Sequence, residues 1–102
     1  MKISQFYGKD QFLVYHDNFK KVSLQSYDSL VAEYDIENHI LKIFEHYNYS
    51  RTTSKYFNLF LKEIVLNEYD FKDLIKIIKK EDNGNYKEIE YKKLKVIINK
   101  GD

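Results

Sequence analysis

The stretch that decides the fold is residues 50–64, Ser-Arg-Thr-Thr-Ser-Lys-Tyr-Phe-Asn-Leu-Phe-Leu-Lys-Glu-Ile. Its apolar residues recur at the i, i+3, i+4 and i+7 spacing that places side chains on one face of an α-helix. They are Phe57, Phe60, Leu61 and Ile64. This spacing predicts a helix over about residues 53–67, with candidate N-caps among the Ser and Thr residues of 50–54. Because such a stripe has to be buried, the helix needs a second layer to pack against.

A second helix is predicted over residues 71–80, because the same spacing returns there in Phe71, Leu74, Ile75 and Ile78. Asp70 is placed to cap its first turn, and Lys79 and Lys80 lie in the last turn, where cations favour the helix dipole. Residues 83–85, Asn-Gly-Asn, then predict a turn. After it, apolar residues at every second position predict C-terminal strand structure: Ile89, Tyr91, Leu94, Val96 and Ile98.

The first half of the chain has the patterns of strands. Residues 11–16 are a short apolar run rich in β-formers, and residues 22–34 alternate apolar with polar side chains, interrupted by a bulge or bend at 26–28. Residues 39–47 match a helical face and, in part, a strand face, but the turn-forming residues 35–38 favour a third strand. The order β-β-β-α-α-β predicts an α+β fold: an antiparallel β-meander, then two helices on one face of the sheet, then one or more C-terminal strands.

Length and composition predict a single domain over residues 1–102, since 102 residues support one core and no Pro or Gly/Ser linker marks a boundary. The absence of Cys excludes disulfides, zinc-thiolate sites and thiol nucleophiles. His39 and His46 are seven residues apart and would lie on opposite faces of a strand, so we expect no metal site. With no nucleophile elbow or Gly-rich phosphate loop, we expect no catalytic residue, no cofactor and no enzyme.

The chain also lacks the sequence features of export and membrane insertion. Its opening residues, Met1–Gln5, lead into no apolar segment, and no run of about 18 apolar residues, the length that spans a bilayer, occurs. We therefore expect a protein of the cytoplasm that does not span a membrane.

The polar segment at the start of the first predicted helix is the candidate partner-binding site. Free backbone N–H groups, hydroxyls and two cations converge there, as binding of a phosphate or carboxylate requires. The candidate residues are Tyr49, Arg51, Thr52, Thr53 and Lys55. Helix capping alone also explains the hydroxyls. Arg51 adds weight to the binding interpretation, because it is the single Arg in a chain that otherwise uses Lys, and its planar fork suits bidentate recognition of acids.

An alternative site lies near the C-terminus, where residues 76–100 carry eight Lys against four acidic residues. A basic strand with interleaved aromatic side chains could follow a nucleic-acid backbone while bases stack on tyrosine. The residues of this alternative are Tyr86, Tyr91, Lys92, Lys93 and Lys95. A solvated strand face explains the same pattern, because strong nucleic-acid binders usually have a larger net charge than this chain's +1.

Ten tyrosines are more than a core of this size can hold with every hydroxyl satisfied. Exposed tyrosine is enriched at protein interfaces, so this content favours a protein-binding module.

Two stretches carry a resemblance to a known group of proteins. Residues 25–32, Gln-Ser-Tyr-Asp-Ser-Leu-Val-Ala, and residues 49–56, Tyr-Ser-Arg-Thr-Thr-Ser-Lys-Tyr, followed by Phe60 and Leu61, fit the pattern SYxSxVA … YSxTTSKxxxxFL. In this the chain resembles small proteins from phages and mobile elements of low-GC Gram-positive bacteria. The resemblance implies a phage or mobile-element setting and no settled activity. Small phage-borne proteins without catalytic residues are often inhibitors of host defence, including anti-CRISPR proteins, so we expect a non-enzymatic inhibitor of this type. Its partner would be a host protein complex such as a CRISPR effector, blocked by surface occlusion.

Overall fold

The strands of the protein lie in one sheet with helices packed on one face, in a computed structural model that describes residues 2–7, 10–16, 18–27, 29–44, 47, 50–66 and 70–98. The strands are β1 (Lys2–Gln5), β2 (Gln11–His16), β3 (Lys21–Ser26), β4 (Ser29–Asp35), β5 (Ile40–Ile43), β6 (Lys87–Tyr91) and β7 (Leu94–Ile98). The helices are α1 (Arg51–Phe60), its continuation in a π-helical turn (Leu61–Val65, called the π turn below), and α2 (Asp70–Glu81).

The spatial order of the sheet is β1-β2-β3-β4-β5-β7-β6. Strands β1 to β5 pair antiparallel with their neighbours in sequence, which makes a five-stranded meander. Strand β7 then pairs parallel with β5, and β6 forms a hairpin on its outer side. A parallel neighbour needs a long connection to return the chain to the same end of the sheet, and the two helices lie within it. The predicted α+β fold is confirmed.

The segment 22–34 differs from the sequence prediction, because it is a tight hairpin and not one bent strand. Strand β3 ends at Ser26, and the turn places Tyr27 in the left-handed region, with φ 55°. The hairpin pairs Val22 with Tyr34 and Leu24 with Ala32, so these apolar residues share one face. A single long strand would give the same alternation in sequence, which therefore does not separate the two structures.

Besides the turn at Tyr27, a further irregularity lies in β4, where Val31 is an extra residue in the pairing with β3. The register between β3 and β4 shifts between Leu24 and Gln25. Such a shift moves the side chains beyond it to the other face. As a result Val31 is fully buried, whereas Leu30, which the alternation placed inside, is 41% exposed.

Several element bounds also differ from prediction. Strand β1 was not predicted, because Lys2–Gln5 is a mostly exposed edge strand without apolar alternation. Of the ambiguous residues 39–47, Ile40–Ile43 form a strand, as favoured; residues 45 and 46, including His46, lie outside the described residues. The first helix begins two residues earlier than predicted and ends in the π turn, while α2 matches its predicted range to within one residue at each end.

The core lies between the helices and one face of the sheet. From the helices, Phe57, Phe60, Leu61, Leu74 and Ile78 are at most 3% exposed, which confirms the two predicted stripes at these positions. The sheet contributes residues from every strand of the meander except β1, and from β7: Leu13, Val22, Leu24, Val31, Ala32, Tyr34, Leu41, Ile43, Leu94, Val96 and Ile98. The opposite face carries cross-strand partners of opposite charge, Glu33 with Lys42 and Glu90 with Lys95, as suits a solvated surface.

A partly buried hydrogen bond links the connection before α1 to the end of α2. The hydroxyl of Tyr47, a residue only 6% exposed, donates to Oδ2 of Asp82, which directly follows α2. Burial, and secondarily the hydrogen bond and negative charge of Asp82, raise the pKa of Tyr47 well above its ordinary value. The bond therefore holds two ends of the helical layer together as long as Tyr47 keeps its proton.

We expect the variant Tyr47→Phe to lose about 1–3 kcal/mol of stability at pH 7, the cost of leaving a charged partner without this bond. Because the folded protein binds the Tyr47 proton more tightly than the unfolded chain does, this contribution is complete below the ordinary pKa of 10.0 and is lost as the pH rises above it. Urea unfolding between pH 7 and strongly alkaline pH measures both effects. The stability difference between wild type and variant should shrink above pH 10.

The variant Tyr86→Phe is the matched control, since Tyr86 also donates to a carboxylate, that of Glu88, but is 57% exposed. We expect its stability to stay near wild type. A difference between wild type and Tyr47→Phe that stays constant or grows through strongly alkaline pH would contradict the assignment.

Candidate functional site

A groove of about 710 Å³ runs along the outer face of α1. It is lined by one side of α1 and the π turn, together with Phe71 from the first turn of α2. The lining residues are Ser50, Arg51, Ser54, Lys55, Asn58, Leu59, Lys62 and Phe71. The groove therefore includes two of the residues predicted to bind a partner, Arg51 and Lys55.

Helical geometry brings the polar lining into one row. Arg51, Lys55, Asn58 and Lys62 follow one another at steps of four, three and four residues, which keeps them on the same side of a helix. At a rise of 1.5 Å per residue, the row extends over about 16 Å. Three cations thus line one wall of the groove at successive positions along the helix axis.

Two of the hydroxyls at the start of α1, those of Ser50 and Thr53, are engaged at the cap. Ser50 is the N-cap: its Oγ accepts a hydrogen bond of 3.1 Å from the backbone N–H of Thr53 and donates one of 3.2 Å to Oγ1 of Thr53. Thr53 is 5% exposed and Thr52 is exposed, and neither lines the groove. Tyr49 lies outside the described residues. Of the predicted site residues, only the two cations, Arg51 and Lys55, line the groove in the described part of the chain. Further lining residues of α1 lie beyond Lys55 along the helix.

The position of Arg51 is not explained by the stability of α1. Arg51 is the first residue of the helix, where the helix dipole disfavours a positive charge, and the first turn contains no acidic residue. The ammonium of Lys55 lies 5.7 Å from the centre of the Tyr56 ring. No carboxylate belongs to the lining given by the described residues. An anion entering the groove would meet the positive charges of Arg51 and Lys55.

The floor of the groove is apolar. Leu59 and Phe71 are half-buried and pack against the core from the outside. An apolar floor beneath a row of cations suits a ligand with an apolar side chain flanked by acidic groups. The described lining offers hydroxyls, an amide and cations.

Sequence reasoning missed Asn58, Leu59, Lys62 and Phe71. The polar segment was considered only as far as Lys55, whereas the helical spacing that starts at Arg51 continues to Lys62. That spacing was the available signal for the polar wall. Phe71 was assigned to the buried stripe of α2, and its exposed side depends on how the two helices pack.

The alternative nucleic-acid residues do not form one surface. Lys92 pairs with Asp70 at 2.7 Å and Lys95 with Glu88 at 3.6 Å, so both charges are compensated. Tyr91 packs against the core on the helix-covered face, whereas the exposed Lys95 extends to the other face. Tyr86 donates to Glu88, and Lys93 is exposed in the turn between β6 and β7. The nucleic-acid interpretation stays a prediction.

Two further findings concern metals and membranes. Within the described residues, no three His, Cys, Asp or Glu side chains come close enough together to hold a metal ion. None of the helices in the described ranges has the length and apolar character needed to cross a membrane.

The fold and the groove define a class of protein, an α+β domain of one mixed sheet with a cationic, apolar-floored groove on its first helix. The chain belongs to DUF8033, a family of unknown function whose model matches residues 1–93. No curated protein and no solved structure matches it. The family match extends beyond the stretch 25–61 that resembles phage proteins, and the family's description names no origin or activity. The phage and anti-defence interpretation therefore stays a prediction.

Proposed function

We propose that the protein is a non-catalytic binding protein whose α1 groove binds an acidic surface of a partner protein. The observation that carries this proposal is the row of Arg51, Lys55 and Lys62 above an apolar floor, with no carboxylate in the described lining. Arg51 would pair with a carboxylate through two parallel hydrogen bonds, which gives direction as well as affinity.

The apolar floor favours a protein over a bare phosphate backbone as the partner. Leu59 and Phe71 gain nothing from phosphates, but they would bury an apolar side chain and exclude water from the surrounding ion pairs. Ion pairs at an exposed surface contribute little, whereas those shielded at an interface contribute more. The expected partner surface is therefore an apolar residue surrounded by Asp or Glu.

The finer proposal is that the partner belongs to a host nuclease complex, such as a CRISPR effector, in the cytoplasm of a bacterial host. Its support is the resemblance of residues 25–61 to small phage and mobile-element proteins. The groove is cationic, so the contact would form at an acidic patch of the complex and not in the positively charged channel that holds nucleic acid. Inhibition would follow from covering that patch.

Capture from bacterial host lysate tests the proposal, with the wild-type chain and two charge-reversal variants as baits. Arg51→Glu/Lys55→Glu reverses two cations of the groove. Lys72→Glu/Lys76→Glu reverses two exposed cations of α2 at the same four-residue spacing and outside the groove lining, so it is matched in charge. We expect the partner to be retained by wild type and by the α2 variant, and lost from the groove variant.

Equal capture of the same protein by all three baits would contradict the groove as the binding site. Capture that disappears after nuclease treatment of the lysate would instead favour the nucleic-acid alternative. Quantitative mass spectrometry of the three eluates separates these results.

A further inference from the structure

A second cavity, of about 310 Å³, lies at the end of the sheet where β5 and β7 begin. It is bounded by the turn between β4 and β5, the turn between β6 and β7, and the end of the π turn. The parallel pairing of β5 with β7 brings the two turns together, and the backbone N–H of Lys95 donates to the carbonyl of His39 at 2.9 Å. The lining residues are Tyr34, His39, Val65, Leu66, Tyr91, Lys92, Lys93 and Leu94.

The interior of the cavity is apolar. Tyr34 and Leu94 are 7% and 5% exposed and belong to the core, and Val65, Leu66 and Tyr91 are half-buried beside them. These side chains offer a ligand aliphatic and aromatic contacts on several sides. The volume is at the small end of the range for small-molecule sites, about 300–1,000 Å³.

The polar groups of the cavity lie at its mouth. The hydroxyl of Tyr34 is 3.4 Å from Nδ1 of His39. The charge of Lys92 is compensated, because its ammonium pairs with Oδ1 of Asp70 at 2.7 Å. Lys93 is exposed, and no described residue forms an ion pair with it. The mouth therefore offers one uncompensated cation next to an apolar interior.

Three backbone features lie around the cavity: the π turn and two residues with positive φ. Val65 ends the π turn, a rare helix form that is frequent at functional sites. His39 and Lys92 both have φ 56°, in the left-handed region that side chains other than glycine enter at a cost. Turn geometry accounts for the conformation of each residue. The pairing of β5 with β7 places these features around one apolar cavity.

We propose that this cavity binds a small organic monoanion, an aromatic or branched apolar body that carries one carboxylate. The body would fill the space between Tyr34, Tyr91 and Leu66, and the carboxylate would lie at the mouth against Lys93. A dianion is disfavoured, because the second cation at the mouth is already neutralised by Asp70. The proposal does not depend on the α1 groove or its partner.

Titration with phenylacetate and with 2-phenylethanol, followed by ¹H–¹⁵N NMR, tests this assignment, because the two probes share a body and differ in charge. We expect saturable shifts at residues of the cavity, with a Kd for phenylacetate of about 1 mM, as small ligands of this size give. The neutral alcohol should bind at least about fivefold more weakly.

Two variants and one control complete the experiment. Lys93→Gln should lower the affinity for phenylacetate to that of 2-phenylethanol and leave the alcohol unchanged. Val65→Phe should fill the cavity and abolish binding of both probes, while Lys55→Gln, in the α1 groove, should bind both like wild type. Shifts centred on the groove, equal affinity of the two probes, or unchanged phenylacetate binding in Lys93→Gln would each overturn the proposal.

Discussion

Replacing Phe60 with Ala is expected to lower the free energy of unfolding by about 3–5 kcal/mol, the usual cost of removing a buried phenyl ring. Phe60 is fully buried and lies where α1 meets the sheet. The total stability of a domain of this size is about 5–15 kcal/mol, so the loss is a large part of it. Urea unfolding measures the change directly, and the thermal midpoint should fall by at least about 12 °C.

Leu59→Ala is the matched control, because Leu59 is the preceding residue of the same helix and lines the groove on its outer side. Its half-burial predicts a loss of only about 1 kcal/mol. A thermal midpoint of Phe60→Ala equal to that of wild type would mean that the stripe is exposed and the packing of α1 is wrong.

The second large effect is expected on binding. Arg51→Ala should weaken the complex with the partner captured from lysate by about 2 kcal/mol, close to 30-fold in Kd, as loss of a shielded charge-assisted contact does. The stability of the protein should stay within about 0.5 kcal/mol of wild type, since removing a cation from the first turn of a helix does not weaken it. Titration calorimetry and thermal unfolding of the same samples give the two values.

Ser50→Ala should show the reverse behaviour. Ser50 lies next to Arg51 and lines the same groove, but it caps α1 through the N–H of Thr53. Its removal should cost about 1 kcal/mol of stability and change the affinity of the complex less than threefold. Wild-type affinity in Arg51→Ala, or equal loss of affinity in both variants, would contradict the role given to Arg51.

Helices were predictable because each apolar stripe keeps the same period over about two turns. Phe57, Phe60 and Leu61 are buried as expected. Ile64 is half-buried, since the π turn changes the angular step after Leu61 and turns this position partly outward. The change from α-helical to π-helical geometry cannot be predicted from the spacing of the apolar residues.

Strands were harder to delimit, because the apolar/polar alternation of a sequence can be the same in a two-stranded hairpin and in one long strand. The turn at Tyr27 contains neither Gly nor the Asn-Gly pair that signals a two-residue hairpin loop. Its tyrosine adopts a backbone conformation that sequence rules assign to Gly. Edge strand β1 has no buried face to impose a pattern, so its existence depends on pairing with β2 alone.

The sequence was enough to predict two cations of the groove, but it did not predict the cavity itself. Arg51 and Lys55 were selected by their position at a helix start, and Lys62 belongs to the same helical row. The apolar floor depends on the packing of Phe71, from another helix, beside Leu59. Contacts between distant elements are set by the tertiary structure, and one sequence does not encode them as a local pattern.

The place of β7 beside β5 has a consequence for the ribosome-bound chain. The meander is local and can pair while the chain emerges, but the second edge of β5 receives its partner only about fifty residues later, a separation that slows folding. Until then Leu41 and Ile43, both fully buried in the finished protein, border an unpaired strand edge. An unpaired strand edge with apolar side chains can pair with the strand of another chain, which leads to aggregation. Pairing of β7 with β5 therefore covers an aggregation-prone edge that the meander alone leaves open.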